Sequence, residues 1–139
     1  MLTGRCLCGG VRFEIAAPLG PAVCCHCSMC RRASGSAFAA NASVRADAFR
    51  IVSGEELLSS YESSPGAVRM FCSRCGSPVC MRGRGDTPLV RVRLGLIEDD
   101  PGIRPSAHVW TQSKARWFEI TDALRRFARE APRRYFMPG

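Results

Sequence analysis

The sequence predicts an all-β protein with little helix, and two observations lead to this prediction. Short apolar stretches recur along the 139 residues, and several alternate with polar residues in the period of two that is typical of strands. Strong turn signals such as Ser53-Gly54 and Pro65-Gly66 separate these stretches. Hydrophobic residues make up 46% of the chain and charged residues 23%, a balance that predicts a folded protein.

The first strands are expected in the N-terminal third of the chain. Residues 11–15 alternate apolar and charged side chains, the pattern of a half-buried strand, and Gly9-Gly10 supplies a turn before it. Residues 22–24 predict a short strand that runs into a group of cysteines. Residues 36–44 are small and mildly apolar, which indicates a buried strand packed closely against a neighbour.

Further strands are expected in the middle of the chain and beyond it, at residues 49–52, 57–61, 68–71, 89–96 and 108–110. The segment 89–96 has the clearest alternation. There we expect Val90, Val92 and Leu94 to face the core, and Arg91 and Arg93 to face water.

One helix is predicted, at residues 122–130. Leu124, Phe127 and Ala128 would lie on one face of it, with Thr121 or Asp122 as the N-cap. No internal repeat, low-complexity segment or linker interrupts the chain, so we expect residues 1–139 to form a single domain.

The net charge of +8 comes almost wholly from arginine, because Lys114 is the single lysine. No block of five like charges occurs, which argues against a nucleic-acid partner and favours a solvated basic surface. The apolar runs are too short to span a bilayer, and the N-terminus lacks the pattern of a secretory signal. The sequence therefore predicts no membrane segment and a cytoplasmic location.

Nine cysteines are a strong deviation for a chain of this size, and they suggest either a disulfide framework or metal binding. The odd number and the expected location favour metal. Seven of the nine also fall in CxC, CxCxxC and CxxC clusters, a spacing that suits a shared metal better than unstrained disulfides.

The pairs Cys6/Cys8 and Cys72/Cys75 predict one structural zinc site, because each pair can direct two thiolates at a common point. Glycines next to both pairs suit the tight turns that such sites need. The alternative is four buried free thiols, which would not require so regular a spacing.

A second cluster, Cys25, Cys27 and Cys30, predicts a different kind of site. Three protein ligands leave a fourth position open, which is the arrangement of catalytic zinc. His26 is either a fourth ligand or a hydrogen-bonding neighbour, and we favour the second because adjacent residues seldom reach one metal. Cys24 and Cys80 lie outside both clusters and are interpreted as small buried hydrophobic residues.

The order of these motifs resembles the family of glutathione-dependent formaldehyde-activating enzymes, which also contains centromere protein V. The matching stretches include GRCLCGGVRFEI, CHCSMCRRASGSAF and the segment ending MFCSRCGSPV. The resemblance implies a β-tent, a zinc-binding fold of stacked antiparallel sheets. It also implies two zinc ions, one structural at Cys6, Cys8, Cys72 and Cys75 and one catalytic at Cys25, Cys27 and Cys30.

The resemblance further implies a reaction, the reversible addition of the glutathione thiol to formaldehyde, formally that of a carbon-sulfur lyase. The expected partners are a small-molecule thiol and a small carbonyl, and a homo-oligomer is compatible with this interpretation. Candidate residues for the pocket are Arg31, Ser34, Gly35, His108 and Lys114. The alternative is a non-catalytic zinc module that contacts a protein or a nucleic acid.

Overall fold

A computed structural model describes residues 1–83 and 88–137 of the chain. Within these residues eleven strands and one α-helix form the regular structure, so the predicted all-β fold class is confirmed. The predicted domain, 1–139, also contains residues 84–87 and 138–139, which lie outside the described part. The elements in chain order are β1 (Leu2–Arg5), β2 (Arg12–Ile15), β3 (Ala22–Cys25), α1 (Ser28–Ser34), β4 (Ala39–Arg45), β5 (Phe49–Ser53), β6 (Leu58–Ser64), β7 (Ala67–Cys72), β8 (Pro78–Arg82), β9 (Leu89–Arg93), β10 (Pro105–Val109) and β11 (Arg125–Arg126).

The strands form two sheets. The smaller sheet has the order β1-β2-β5, and the larger has the order β11-β10-β3-β4-β9-β8-β7-β6. Most neighbours are antiparallel, as the resemblance implied, but β10 pairs in parallel with both β3 and β11. This parallel pairing places the end of β10 beside the end of β3, where the cysteines of residues 25–30 begin.

Two hydrophobic clusters hold the fold together. In the first, Phe13 and Ile15 of the smaller sheet lie in one buried cluster with Val44, Val90 and Val92 of the larger sheet. The two sheets therefore cover each other's apolar faces, and this burial is the main stabilising term for a β-protein. The second cluster surrounds Cys25 and Cys30 and includes residues of β3, β4 and β10.

The strand predictions agree with the structure within a few residues at each end, while β1 and β8 had no counterpart among them. One prediction about side chains was wrong. β9 ends at Arg93, and Arg93 is only 6% exposed instead of facing water. The Arg93 guanidinium donates a hydrogen bond to the Asn41 side-chain oxygen inside the protein, so the alternation rule for a one-sided strand does not apply to it.

The prediction of a helix at residues 122–130 was also wrong. That segment contains only the two-residue strand β11, and its backbone groups bond to the end of β10. The Phe127 amide donates to the His108 carbonyl, and the Trp110 and Thr111 amides donate to the carbonyls of Arg129 and Phe127. These hydrogen bonds to another part of the chain replace the bonds that a helix would make within itself.

A helix forms instead at Ser28–Ser34, a segment for which no helix was predicted. Cys27 is its N-cap, and its side chain accepts a hydrogen bond from the Cys30 amide. Gly35 ends the helix in the left-handed conformation at φ 63°, with its amide bonded to the Arg31 carbonyl. In the sequence, the signal that indicates the end of this helix is Gly35, directly after a short polar segment.

None of the helices in the described part of the chain is long and apolar enough to cross a membrane.

Candidate metal centre and the cavity beside it

The four-cysteine cluster consists of Cys6, Cys8, Cys72 and Cys75. Cys6 and Cys8 follow β1, Cys72 ends β7, and Cys75 lies in the turn between β7 and β8. The four sulfur atoms all lie within 4.8 Å of one another. The cluster thus joins the smaller sheet to the larger one across a long stretch of sequence.

Backbone geometry directs these sulfur atoms at a common point. The Val11 amide donates to Cys6 Sγ at 3.2 Å, and the Gly10 amide donates to Cys8 Sγ at 3.4 Å. Gly9 and Gly76 have φ values of 77° and 78°, so the expected role of glycine beside both pairs holds at these two positions. The Arg74 side chain, followed by the Gly10 amide, lowers the pKa of Cys8 and so favours its thiolate, which is the form that binds metal.

The distances between the sulfur atoms fit tetrahedral zinc. With zinc–sulfur bonds of about 2.3 Å, the sulfurs of a tetrahedron lie about 3.8 Å apart. Cys6 and Cys8 are 3.5 Å apart in the structure, and Cys8 and Cys72 are 3.9 Å apart. All nine cysteines are free thiols here, so neither cluster is held by a disulfide. Four thiolates and no oxygen ligand make a donor set that suits zinc.

Gly54 supports the four-cysteine cluster from the end of β5. Its φ is 78°, and a Cβ added to it would lie 2.0 Å from the Gly10 carbonyl oxygen, in the turn that carries Cys8. We expect Gly54→Ala to lower the free energy of unfolding by about 2 kcal/mol more than Gly102→Ala, measured by urea denaturation. Gly102 is the matched control, because its φ is 77° and nothing lies within 4 Å of an added Cβ. Equal losses in the two variants would contradict the close approach.

The cysteine triad consists of Cys25, Cys27 and Cys30. Cys25 is the last residue of β3, Cys27 caps α1, and Cys30 is the buried residue of that helix. The three sulfur atoms lie within 4.8 Å of one another. Hydrogen bonds among these thiols raise the pKa of Cys25 and lower the pKa of Cys30, and Arg69 contributes to the lowering at Cys30. The local sequence therefore brings three potential metal ligands to one point with a thiolate already favoured.

A cavity of about 590 Å³ opens beside the triad. All three cysteines line it, and so does Trp110, whose backbone is in the left-handed region at φ 57°. For a residue other than glycine this conformation costs about 1–2 kcal/mol, and such strain is found preferentially at functional sites. A second cavity of equal volume contains no cysteine, so it offers none of the chemistry that the triad provides. The charged side chains that line the cavity beside the triad are Arg69, Arg82, Arg91 and Glu130.

His26 is fully buried and belongs to a chain of three side chains instead of the group of sulfur ligands. His108 Nε2 lies 2.9 Å from an Asp122 carboxylate oxygen, and His108 Nδ1 lies 2.8 Å from His26 Nε2. Because a carboxylate only accepts, His108 donates to Asp122 and accepts from His26. Burial, with His108 as a further cause, lowers the pKa of His26 to about 4. These hydrogen bonds connect the backbone between Cys25 and Cys27 with β10 and with the segment after β10.

The hydrogen bonds among these three side chains lead to a prediction about stability. His108→Ala leaves the buried His26 Nε2–H without its acceptor, so the free energy of unfolding should fall by about 3 kcal/mol in urea denaturation. Asp122→Asn is the control, because its amide oxygen still accepts from His108, and its loss should stay below about 1 kcal/mol. Similar losses in both variants would contradict a larger contribution of the buried His26–His108 hydrogen bond than of the charge of Asp122.

The pocket residues expected from the sequence do not line the cavity beside the triad. Arg31 donates to the Ser113 carbonyl, Ser34 donates to the Cys30 carbonyl, and the Lys114 amine donates to the Ala115 and Phe118 carbonyls. Gly35 is the cap of α1, and His108 belongs to the chain with His26. These residues lie in the structure around the site, whereas the residues that line the cavity come from β3, α1, β4, the strands β6 to β9 and the segment after β10.

Cys24 and Cys80 are buried outside both clusters, as the sequence predicted. Burial raises the pKa of each thiol to about 11. They are protonated at neutral pH and pack as small hydrophobic side chains.

Comparisons with known proteins agree with this geometry. The family model of the glutathione-dependent formaldehyde-activating enzymes matches residues 1–113. A Halomonas elongata protein whose name places it among these enzymes is 36% identical over 129 residues, covering 86% of this chain and 81% of its own. An uncharacterised lyase of Schizosaccharomyces pombe is 34% identical over 74 residues, covering 53% of this chain and 52% of its own.

A solved structure is similar as well. The crystal structure of a Rhodobacter sphaeroides protein, a structural genomics target, superposes with a TM-score of 0.61 at 31% identity. The superposition covers 74% of this chain and 91% of the Rhodobacter sphaeroides chain. The match to the family model spans all seven clustered cysteines, and the chain therefore belongs to the family of glutathione-dependent formaldehyde-activating enzymes.

Proposed function

We propose that the protein is a zinc-dependent carbon-sulfur lyase-type enzyme that adds a thiol, such as glutathione, to formaldehyde or a related small carbonyl. The observation that carries this proposal is the cysteine triad, whose three sulfur atoms line a cavity large enough for small reactants. The triad would hold a catalytic zinc, and the four-cysteine cluster would hold a structural one. Nine free thiols persist best where disulfides do not form, so we place the reaction in the cytoplasm.

The proposed addition accounts for every bond and for the proton. The thiol loses its proton, its sulfur forms a bond to the carbonyl carbon, and the carbonyl oxygen takes up a proton to give a hydroxymethyl thioether. When bound, zinc supplies a Lewis acid that stabilises a thiolate or polarises a carbonyl. The protein has to hold the two reactants close together and to stabilise negative charge where it develops.

Residues of the chain are placed for these tasks. Cys25 and Cys30 are buried, so the inner wall of the cavity is shielded from bulk water. The Arg69 guanidinium lies 3.7 Å from Cys30 Sγ and can stabilise negative charge on a sulfur or an oxygen there. Trp110 lines the same cavity and gives the reactants an apolar surface.

The test is exchange spectroscopy by NMR on an equilibrium mixture of glutathione and formaldehyde. We expect the protein with its metal to accelerate the exchange between glutathione and its hydroxymethyl adduct over the rate in buffer. The same preparation after removal of metal by a chelator is the control and should return the rate to that of buffer. No acceleration by the protein with its metal would reject this pair of reactants.

A further inference from the structure

Two polar side chains are buried side by side on central strands of the larger sheet. Asn41 of β4 is 2% exposed and Arg93 of β9 is 6% exposed, and the two residues are direct partners in the register of these antiparallel strands. The Arg93 guanidinium donates a hydrogen bond to Asn41 Oδ1. For stability alone, apolar side chains would serve at least as well in this position, so the polar pair points to a role in function.

Asn41 lines the cavity beside the cysteine triad, and it shares a face of the sheet with Cys25. Ala39, two residues before Asn41 in β4, is the register partner of Cys25, and side chains two residues apart on a strand lie on the same face. Arg93 connects Asn41 with a second cysteine of the triad. Burial lowers the pKa of Arg93, and the Cys30 sulfur beside it raises that pKa. Asn41 therefore lies in the buried part of the cavity, close to the sulfur atoms.

The hydrogen bond with Arg93 fixes which end of the Asn41 amide is left for the cavity. A guanidinium group only donates, so the atom that it contacts must be the amide oxygen, and the NH₂ group points away from Arg93. Asn41 Nδ2 donates to no side chain or carbonyl of the described residues. It is nevertheless not one of the sealed side-chain atoms without a partner, which in this part of the chain are His26 Nδ1 and Arg93 Nε. The nitrogen thus has open space before it, and the space that Asn41 lines is the cavity.

An N–H group held in this way suits an oxygen atom that becomes negative. When a thiol adds to a carbonyl, the electron pair of the carbon–oxygen π bond moves to the oxygen, which then takes up the proton that the thiol has lost. A fixed donor in a buried site stabilises this charge without having to reorient during the reaction. A thiol sulfur is a weak acceptor, so an oxygen is the better partner for the amide. The amide keeps both of its protons, and no further reactant is required.

We propose that Asn41 is a catalytic residue, whose side-chain N–H donates a hydrogen bond to the carbonyl oxygen as the thiol adds to the carbonyl carbon. The inference rests on the proposed function and adds the group that contacts the reacting oxygen. Arg93 contributes by holding the Asn41 amide with its oxygen turned away from the reactants.

The decisive variants are Asn41→Asp and Asn41→Ala, each studied in the protein with its metal. Aspartate has the shape of asparagine and still accepts from Arg93, whose charge then has an opposite partner, so the melting temperature should equal or exceed that of the unaltered protein. Alanine leaves Arg93 without its acceptor and should lower the melting temperature. Neither side chain has an N–H to donate, so in both variants we expect kcat of the exchange reaction to fall about 100-fold. A residue that served only to pair with Arg93 would keep its rate in Asn41→Asp.

Ser43 provides the matched control. It lies two residues further along β4, on the same face and equally buried at 2% exposure, but it does not line the cavity. Ser43→Ala should keep the rate within about twofold of the unaltered protein. Native mass spectrometry should find the same zinc content in all of these variants, which excludes loss of metal as the cause of a slower reaction.

Two thiols distinguish the reacting oxygen from the other oxygens of the substrate. Glutathione carries carboxylates and peptide carbonyls, whereas ethanethiol contains no oxygen at all. The loss in Asn41→Asp should appear in kcat with both thiols, and KM for the thiol should stay within about threefold. A loss that appears only as a raised KM for glutathione would show that Asn41 binds the peptide, and it would overturn the inference. Where ethanethiol does not react, the division between kcat and KM for glutathione decides.

A measurement without turnover separates this inference from the proposed function. In ¹H–¹⁵N NMR spectra the Asn41 NH₂ signals, identified by their absence from Asn41→Asp, should move downfield with the glutathione and formaldehyde mixture but not with glutathione alone. Such a shift without any acceleration of the exchange would reject the reaction and leave the contact of Asn41 with the adduct oxygen standing. Acceleration that is unchanged in Asn41→Asp would overturn the inference and leave the proposed function standing. Neither shift nor acceleration would reject both.

Discussion

Cys72→Ser is expected to unfold the protein at room temperature. Cys72 is completely buried, and the four-cysteine cluster closes a loop of roughly 60 residues between Cys8 and Cys72. A structural zinc contributes about 10–16 kcal/mol of apparent binding energy, comparable with the whole stability of a domain, about 5–15 kcal/mol. Far-ultraviolet circular dichroism and a thermal melt measure the effect.

Cys80→Ser is the matched control for this prediction. Cys80 is also buried, but it belongs to neither cluster, so its replacement should cost only about 1–3 kcal/mol and leave a cooperative melt. A folded Cys72→Ser variant that melts close to the temperature of the unaltered protein would contradict the structural role of the cluster.

Cys27→Ser is expected to abolish the reaction in a protein that stays folded. Cys27 is partly exposed and caps α1, and serine is a better N-cap than cysteine, so the helix should remain. The triad then keeps two thiolates in place of three. We expect zinc to fall from two to one per chain, and the exchange of glutathione with its adduct to slow by about 100-fold or more.

Cys24→Ala is the control for this loss. Cys24 precedes Cys25 on β3, but it does not belong to the group of potential metal ligands. Its thiol is protonated at neutral pH, because burial raises its pKa to about 11. It should keep both metals and the exchange rate. Loss of zinc from Cys24→Ala, or full activity in Cys27→Ser, would contradict the assignment of the triad as the catalytic site.

The cysteine clusters could be predicted because their information is local. Spacings such as Cys72-x-x-Cys75 fix how two sulfurs point within one turn, and Gly76 signals the positive φ of that turn. The alternating strands could be predicted for the same reason, since one face of each is covered by the other sheet.

What could not be predicted depends on contacts between distant parts of the chain. Residues 122–130 have the periodicity of a helix, yet their amides and carbonyls form hydrogen bonds with residues 108–112. The sequence of the segment itself gives no signal for these hydrogen bonds. Arg93 lies in a central strand whose neighbours are β4 and β8, and it is buried because Asn41 and the cysteine triad lie beside it. Alternation alone assigns such a residue to water.

The most direct test of the account is the number of zinc ions bound per chain, measured by native mass spectrometry on the purified protein. We predict two, one at the four-cysteine cluster and one at the cysteine triad. Removal of one ion by a mild chelator should abolish the exchange reaction and leave the circular dichroism spectrum unchanged. A single zinc that is lost only on unfolding would contradict the account, because the triad would then lack the metal on which the proposed chemistry depends.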